Sequence, residues 1–344
     1  MPIYENTPYN FITLSTNKIC NLKEENNLTN DLIENKYIYT YVHHIDEHDL
    51  CRMEMRSFFG KDSDSNYLIS NVEIDPSRSP FIEERLKVLY EDNNLDMLIE
   101  QIKHFNVGEN TYKVICLNKM VMNTTNKISH AERRIIERKI GLSIDGEADL
   151  DNPKIILGII FLDGRWYFGN HTKSESVWLK HKEKPHNYST ALNTRVARAI
   201  ANIAAPQIEN VRVIDPCCGI GTIVIEGLSM GIDIEGRDIN YHVCQGSRKN
   251  IAHFGLEGKI TLGPISEVTE HYDVAIIDLP YNLFTHATRD EQADILKHAR
   301  RIADKVVVVT IETIDDLIEE VGFEITDRCV AKKQSFLRQI ILCK

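Results

Sequence analysis

The chain has 344 residues, of which 42% are hydrophobic and 26% charged, and its formal net charge at pH 7 is −11. This composition is typical of a soluble globular protein with two or three domains, and no apolar run is long enough to cross a bilayer. The acidic balance argues against a sequence-independent polyanion binder, although local basic patches can still contact nucleic acid.

The cysteine and histidine patterns predict neither a metal site nor a disulfide framework. The eight cysteines are scattered and form no Cys-x-x-Cys pair. His43, His44 and His48 do not have the spacing of a standard zinc site. The amino-terminal residues lack the basic and apolar regions of a secretion signal. We therefore expect a cytoplasmic protein with reduced thiols and no metal.

The amino-terminal part predicts a small α/β layer behind a polar extension. Residues 1–36 are rich in Asn, Thr and Glu and are interpreted as an extension with little core of its own. The pattern then predicts a strand from Tyr37, a helix over Asp46–Phe59 and a strand over Asn66–Ile74. The remaining elements predicted up to residue 105 are two helices, Phe81–Tyr90 and Leu95–Ile102.

A basic helix follows over Ser129–Ile140, with Ile135, Ile136 and Ile140 expected to face inward. The candidate RNA-binding residues are the basic side chains of its outward face and a later lysine, namely Arg133, Arg134, Arg138, Lys139 and Lys182. The same phosphate-contact patch is extended by Lys173, Lys180 and Lys184 and by His171, His181 and His186. The alternative, two solvated faces that never meet, remains open because charged helix faces are common.

A β-hairpin and a linker helix come next. Ile155–Leu162 is a continuous apolar strand, Asp163-Gly164 is a favoured hairpin turn, and Trp166–Phe168 forms the returning strand. Lys184–Ala204 is interpreted as a linker followed by a helix.

From Val211 onward, strands and helices alternate, which predicts a parallel, doubly wound sheet. The run V-R-V-I-D-P-C-C-G-I-G-T, ending at Thr222, has the strand, glycine turn and helix that open a nucleotide-type site. About twenty residues further on, a carboxylate can accept both hydroxyls of a ribose. The candidate cofactor-binding residues are Asp215, Pro216, Gly219, Gly221, Thr222 and Asp238. For Asp215 a purely structural role, orienting the glycine turn, is the alternative. The chain ends in a predicted antiparallel pair, Glu324–Ala331 and Phe336–Cys343.

A second acidic turn points to the chemistry. The apolar strand Tyr272–Ile277 is followed by Asp278-Leu279-Pro280-Tyr281-Asn282. Rossmann-type dehydrogenases share the glycine turn and the later acid but lack this acid-x-Pro-aromatic turn. The candidate catalytic residues are Asp278, Leu279, Pro280 and Tyr281. The carboxylate and the backbone carbonyl after it can accept the hydrogens of an amine, and the tyrosine can stack on an everted base.

These motifs resemble a known family. The order from Asp215 through Asp238 to Asp278 resembles amino-group methyltransferases with a D/N-P-P-Y motif. Asp149–Gly169 resembles the THUMP domain, an RNA-binding module. Lys184-Pro185 is similar to the Arg-Pro at the start of the catalytic domain in THUMP-domain-containing tRNA guanosine-N2 methyltransferases.

The resemblance implies an α/β protein with a Rossmann-like methyltransferase sheet behind a ferredoxin-like and THUMP region. The implied domains are an extension over 1–36, a ferredoxin-like domain over 37–105, a THUMP domain over 106–182 and a methyltransferase domain over 183–344. The implied reaction transfers a methyl group from S-adenosyl-L-methionine to guanosine N2, at position 10 of tRNA or in the acceptor stem. The partner is tRNA, and whether a small activator subunit takes part is left open.

The chain departs from the family pattern at several positions. Leu279 stands where the first Pro is usual, which predicts a less stiff turn, and Asn282 stands where Gly is common. Thr261-Leu262-Gly263-Pro264 lacks the acid that often holds the adenine amine. Two alternatives follow: a DNA adenine-N6 or cytosine-N4 methyltransferase, which shares the acidic turn, and an RNA-binding protein with a decayed catalytic domain.

Overall fold

Two seven-stranded sheets, one on each side of residue 183, organise the computed structural model. The structure describes residues 35–117, 121–123, 126–187, 191–282, 285–286, 288–333 and 336–344. Except for its last two residues, the predicted extension 1–36 lies outside these ranges. None of the helices in the described ranges has the length and apolar character needed to cross a bilayer.

The amino-terminal sheet has strand order β2-β1-β3-β9-β8-β4-β7. Its strands, with the small hairpin β5-β6, are β1 (Tyr37–Tyr41), β2 (Tyr67–Ser70), β3 (Ile82–Asp92), β4 (Asn106–Cys116), β5 (Val121–Asn123), β6 (Asn126–Lys127), β7 (Asp145–Ala148), β8 (Ile155–Leu162) and β9 (Arg165–Lys173). The helices of this part are α1 (His48–Phe59), α2 (Leu95–Ile102) and α3 (His130–Gly141). The ranges predicted as ferredoxin-like and THUMP domains thus contribute strands to one sheet.

Strand β1 is buried along its whole length because both faces of the sheet are covered. Tyr39 and Tyr41 face a core shared with α1 and with the carboxy-terminal half of the chain. Ile38 faces a second core, formed with α2 and α3. The sheet therefore forms a middle layer between the α2–α3 side and the carboxy-terminal half.

Two local predictions for this part are wrong. The stretch predicted as a helix at Phe81–Tyr90 is the long strand β3, which pairs with β1 and β9. Ile135, predicted to face inward on α3, is 66% exposed, whereas Ile136 and Ile140 are buried. The predicted hairpin turn is confirmed: Asp163 and Gly164 both have positive φ, the conformation that joins β8 to β9 tightly.

The carboxy-terminal sheet has strand order β12-β11-β10-β13-β16-β18-β17, parallel except at β18. Its strands, with the small hairpin β14-β15, are β10 (Arg212–Asp215), β11 (Asp233–Asp238), β12 (Ile260–Leu262), β13 (Tyr272–Asp278), β14 (Tyr281–Asn282), β15 (Thr285–His286), β16 (Ala303–Thr310), β17 (Ile325–Lys333) and β18 (Phe336–Cys343). Its helices are α4 (Thr194–Ala204), α5 (Thr222–Ser229), α6 (Tyr241–His253), α7 (Arg289–Ile302) and α8 (Asp315–Glu320). The doubly wound α/β sheet and its closing antiparallel pair are confirmed.

A buried polar cluster joins the two halves. We call it the junction network, and its members are Glu54, Arg78, Ser79, His181, Arg198, Asn202 and Glu226. Arg198, on α4, is only 2% exposed and donates to the Glu226 carboxylate on α5 at 2.8 Å. Its other nitrogens donate to the backbone carbonyls of Ser77 and Arg78. One guanidinium thus ties the segment before β3 to the helix that opens the carboxy-terminal sheet.

The other members of the junction network are also hydrogen-bonded. Asn202 donates to Glu54 Oε1 at 2.7 Å, and the Ser79 hydroxyl donates to Glu54 Oε2 at 2.5 Å. Arg78 donates to the carbonyls of Ala205 and Pro206, which follow the end of α4. Because a buried charge is tolerated only with partners, the network specifies how α1, α4 and α5 meet.

Glu54 makes the stability of this junction depend on pH. Burial raises the pKa of its carboxyl to about 7, although hydrogen bonds from Ser79 and Asn202 act in the opposite direction. In an unfolded chain the pKa of a glutamate is about 4.3. The folded protein therefore binds this proton more tightly. The resulting stabilisation is fully present below the unfolded pKa and is lost as the pH rises through about 7.

We expect wild-type protein to lose stability relative to the Glu54→Gln variant as the pH rises from about 5 to about 8, by up to about 3 kcal/mol. The glutamine oxygen can accept one of the two hydrogen bonds, and the amide does not titrate. Denaturant unfolding at a series of pH values measures the difference. Glu109→Gln, at an exposed position, is the matched control. Parallel pH profiles for wild type and Glu54→Gln would contradict this assignment.

Candidate active site

The glycine turn between β10 and α5 lies at the carboxyl edge of the parallel strands. Gly219 and Gly221 have φ values of 54° and 78°, which other residues rarely adopt. A Cβ at Gly221 would lie 2.3 Å from the Ser247 hydroxyl oxygen on α6, whereas a Cβ at Gly219 would meet nothing within 4 Å. The first glycine therefore leaves open space over the turn, and the second permits close packing beneath it.

Asp238, at the end of β11, holds the glycine turn in place. Its Oδ2 accepts the Gly219 N–H at 3.0 Å, and its Oδ1 accepts the Asn240 N–H at 2.8 Å. The Cys218 N–H donates to the carbonyl of Arg237 beside it. Each carboxylate oxygen keeps a further acceptor site. Asp238 can therefore bind a pair of hydroxyls while it fixes the turn.

Asp215 is 1% exposed, and its Oδ1 accepts the Cys217 N–H at 3.2 Å. Burial raises the pKa of its carboxyl well above the usual range, and the charges of Asp278 and Asp238 raise it further. Burial of this kind favours the protonated form of a carboxyl. These features fit the structural alternative for Asp215, in which it orients the turn. The buried Pro216 follows it in the same turn.

Asp278 ends β13 next to β10, so the three strands carry their acids to one edge. The charges of Asp215, Asp238 and Asp278 all raise the pKa of the Cys217 thiol, after the larger effect of its burial. The half-buried Cys217 thiol, with its raised pKa, is a poor nucleophile, so Cys217 is a packing residue of the turn.

Leu279 is fixed more firmly than its departure from the usual Pro suggests. Its N–H donates to the carbonyl of Val309 on β16 at 3.0 Å, a bond that Pro cannot make. Its side chain is 1% exposed and belongs to the core under the sheet. These contacts offset part of the restraint that is lost with the proline ring, and the less stiff turn stays a prediction. Pro280 is half-buried, and the Tyr281 backbone begins β14, while the Tyr281 side chain lies outside the described part of the structure.

Lys184 belongs to the glycine turn and not to a surface patch. Its ammonium donates to the Thr222 hydroxyl at the start of α5 at 2.9 Å, and burial lowers the pKa of Lys184. Two residues further along, the backbone N–H of His186 donates to Asn250 Oδ1 on α6, and the His186 carbonyl accepts from Asn250 Nδ2. These linker contacts follow no periodic pattern in the sequence, so sequence reasoning missed them. They place a positive charge beside the open turn.

The predicted RNA-binding residues separate into two places. On α3, Arg134, Arg138 and Lys139 are exposed and Arg133 is half-buried, and Lys139 pairs with Asp96. Lys182 is exposed on a 3₁₀ segment that packs against α4 and α5. The inclusion of two histidines in the surface patch was wrong, because the side chains of His171 and His181 are 2% and 7% exposed. His181 instead binds Glu226 of the junction network at 2.8 Å.

The segment that lacks the expected acid, 261–264, is held by Arg237. The guanidinium donates to the Thr261 hydroxyl and the Pro264 carbonyl and pairs with Glu267. Beside it, Ile239 and Leu262 are 75% and 47% exposed and offer an apolar surface at the same edge. Among the described residues, no group of three or more His, Cys, Asp or Glu side chains could hold a metal ion.

The sheet order, the glycine turn and the acids at one edge are those of a Rossmann-like domain with a nucleotide-type site. Residues 181–317 match the family model described as "UPF0020: RMKL-like, methyltransferase domain". This match supports the methyltransferase domain predicted from the sequence for this part of the chain.

The curated relatives are named as guanine-N2 methyltransferases of RNA. The tRNA (guanine(10)-N2)-dimethyltransferase of Methanothermobacter thermautotrophicus is 25% identical over 48% of this chain and 52% of its own length. The tRNA (guanine(6)-N2)-methyltransferase of Archaeoglobus fulgidus is 25% identical over 57% and 59%. The human U6 snRNA (guanine-N(2))-methyltransferase THUMPD2 is 29% identical over 39% and 27%. The resemblance drawn from the motifs is confirmed, and the chain spans about half the length of the first of these relatives.

The two glycines allow a matched test of the turn. At either position alanine costs roughly 1–2 kcal/mol of backbone strain. Only at 221 does the new methyl also displace Ser247, which adds about 1–3 kcal/mol. We expect Gly221→Ala to lower the Tm more, and Gly219→Ala to weaken S-adenosyl-L-methionine binding with a smaller loss of Tm. Calorimetry of folding and of cofactor binding measures both, and the opposite ranking would refute this division of roles.

Proposed function

We propose that this protein transfers a methyl group from S-adenosyl-L-methionine to the exocyclic N2 of a guanosine in RNA, with tRNA as the substrate. The observation that carries the proposal is Asp278-Leu279 at the end of β13, fixed one strand away from the glycine turn. The relatives' names support guanine N2 as the acceptor, and two of the three name a tRNA. Position 10 or an acceptor-stem guanosine is the proposed target, and the cytoplasm is the proposed location.

The residues would act by aligning a weak nucleophile. The lone pair of the guanine amine is delocalised into the ring, so positioning supplies most of the rate. The Asp278 carboxylate and the Leu279 carbonyl accept the two amine hydrogens and direct the nitrogen towards the donor. S-adenosyl-L-methionine supplies an activated methyl group on a sulfonium. Formation of the N–C bond would break the S–C bond of the donor and release S-adenosyl-L-homocysteine, and the extra proton on nitrogen would pass to Asp278 or to water. Tyr281 is proposed to stack on the everted base.

The cofactor would lie on the β10–β11 side of this turn. Gly219 leaves space for it, Asp238 would accept the ribose hydroxyls, and Lys184 with Thr222 would lie near its carboxylate. Ile239 and Leu262 would contact the adenine. This arrangement offers a substitute for the acid missing from segment 261–264.

The amino-terminal half is proposed to bind the RNA. We keep the interpretation of 37–105 as ferredoxin-like, of 106–182 as a THUMP domain and of 183–344 as the catalytic domain. The basic face of α3, which consists of Arg133, Arg134, Arg138 and Lys139, is the proposed phosphate contact. The proposal leaves open whether a small activator subunit also takes part.

The experiment that tests the function uses labelled S-adenosyl-L-methionine with unmodified tRNA or duplex DNA, followed by digestion to nucleosides. We expect label in N2-methylguanosine from tRNA and none in DNA. Label in DNA adenine or cytosine would favour a DNA methyltransferase. Tight tRNA binding without transfer would favour a decayed enzyme.

Replacing Asp278 by Asn should lower kcat by roughly 100-fold or more, because the amide has one acceptor oxygen and no affinity for a proton. Cofactor affinity should stay within about threefold, since Asp278 is proposed to contact the amine. Single-turnover rates and cofactor titration measure the two effects. Asp273→Asn, at the opposite end of β13, is the matched control and should be active. An Asp278→Asn enzyme with normal turnover would remove the proposed role.

Charge reversal on the α3 basic face should weaken tRNA binding. For Arg134→Glu with Arg138→Glu, we expect a higher Kd and a smaller dependence of log Kd on log salt, by roughly 0.7–0.9 for each phosphate that is no longer neutralised. Both side chains are exposed, so folding should be preserved. Lys297→Glu, exposed on α7, is the control for a change of total charge. Unchanged affinity and salt slope would discard this face as the RNA-binding surface.

A further inference from the structure

A second carboxylate stands at the catalytic edge of the sheet, one strand beyond Asp278. Strand β16 pairs in parallel with β13, and Asp278 is opposite Val309. Neighbouring strands lie about 4.8 Å apart. Glu312 comes three residues after Val309, in the segment that leaves β16, and its side chain is exposed. The glycine turn and Asp238 lie on the other side of Asp278, so Glu312 borders the side that remains for an acceptor base.

The segment that carries Glu312 is held at several points. Its backbone N–H donates to the Thr310 hydroxyl at 3.1 Å. Its backbone carbonyl accepts from the side-chain amide of Gln339 on β18, also at 3.1 Å. Although exposed, Glu312 therefore has a backbone position set by two neighbouring strands and not by a free loop.

The carboxylate itself is oriented by a buried amide. Gln292 on α7 is 4% exposed, and its Nε2 donates to Glu312 Oε2 at 3.1 Å. Such an amide can give the carboxylate a fixed direction, since a carboxylate accepts up to about four hydrogen bonds and here one is taken by Gln292. Within the described ranges, Gln292 is the one partner recorded for this carboxylate, so its remaining acceptor positions can serve a ligand at the exposed edge.

The chemistry of guanine matches two carboxylates on neighbouring strands. On the Watson–Crick edge, guanine presents the N1–H beside the exocyclic N2 amine, so both are donors. Adenine presents an unprotonated N1, which a carboxylate repels. A site built around a hydrogen bond discriminates strongly against an analogue that lacks the matching group. Asp278 would accept a hydrogen bond from the reacting amine, and the second carboxylate would accept one from the neighbouring N1–H.

We infer that Glu312 is a specificity-determining residue that accepts the N1–H of the target guanine, with Gln292 as its positioning residue. This inference rests on the proposed function and deepens it, because it names the group by which the enzyme distinguishes guanine from other purines. Asp278 supplies the reaction geometry, and Glu312 supplies the choice of base.

The test replaces the target guanosine in the RNA by 2,6-diaminopurine ribonucleoside, which keeps the N2 amine but has an unprotonated N1. The measured quantity is the ratio of kcat/KM for guanosine over kcat/KM for diaminopurine. In Glu312→Gln, the oxygen of the new side-chain amide can accept the hydrogen bond from Gln292. The NH₂ group of the same new amide then faces the base and acts as a hydrogen-bond donor. We expect this variant to lower the ratio by roughly 10- to 100-fold, the equivalent of one hydrogen bond to a charged group. Part of this change should come from faster methylation of diaminopurine.

A second variant and a control variant are measured in the same assay. Gln292→Leu keeps the carboxylate but removes its orienting partner, and it should lower the ratio by less than Glu312→Gln does. Glu320→Gln, an exposed glutamate on α8, should leave the ratio unchanged. Unfolding temperature and cofactor affinity confirm that each variant is folded.

The outcomes separate this inference from the function on which it rests. An active wild type whose ratio is unchanged in Glu312→Gln would overturn the role of Glu312 and leave the methyltransferase proposal intact. A wild type that methylates no guanosine in any RNA would overturn both. A lower ratio in Glu312→Gln together with an unchanged Glu320→Gln supports the assignment.

Discussion

Parallel pairing of β10, β11 and β13 is the constraint on which this site depends. It brings Asp215, Asp238 and Asp278 to one edge, where the charges of Asp278 and Asp238 add to the effect of burial in raising the pKa of Asp215. The molecule limits the cost in two ways. Burial favours the protonated form of Asp215, and two backbone N–H groups support the Asp238 carboxylate. This arrangement leaves Asp278 next to an open turn without excessive repulsion.

The departure at Leu279 shows how a motif can change while its geometry is kept. A Pro at this position would restrict the backbone through its ring. Leu279 achieves the same end through a hydrogen bond to Val309 and through burial in the core below the sheet. Of the two departures that motivated the decayed-enzyme hypothesis, Leu279 and Gly263-Pro264, the first therefore carries little weight. What the turn must preserve is a carboxylate followed by a backbone carbonyl, and Leu279 supplies that carbonyl.

The sequence predicted the carboxy-terminal sheet well because alternating apolar strands and amphipathic helices leave strong periodic patterns. It failed at β3, where the inward position Glu84 is charged and only 4% exposed. That residue interrupts the alternation of Ile82 and Leu86, and the spacing that remains fits a helix. The rule that found Asp278, a polar residue just beyond a buried strand, also applies to Glu312. It could not have found Gln292, whose approach depends on tertiary packing.

The contacts of α5 show how the two halves of the chain are joined next to the glycine turn. This helix begins at the glycine turn, where Thr222 accepts from Lys184, and one turn later it carries Glu226. Glu226 is fully buried and holds both Arg198 and His181. Because Arg198 also binds the carbonyls before β3, a shift of the amino-terminal sheet would pull on the helix that shapes the cofactor turn. Removing one partner of such a buried pair leaves an uncompensated charge, so the junction resists sliding. The distance between the amino-terminal half and Asp278 is thereby set by packing and not by a flexible linker. The proposed function needs such a fixed distance, because the enzyme would bind RNA at one place and methylate one nucleotide at another.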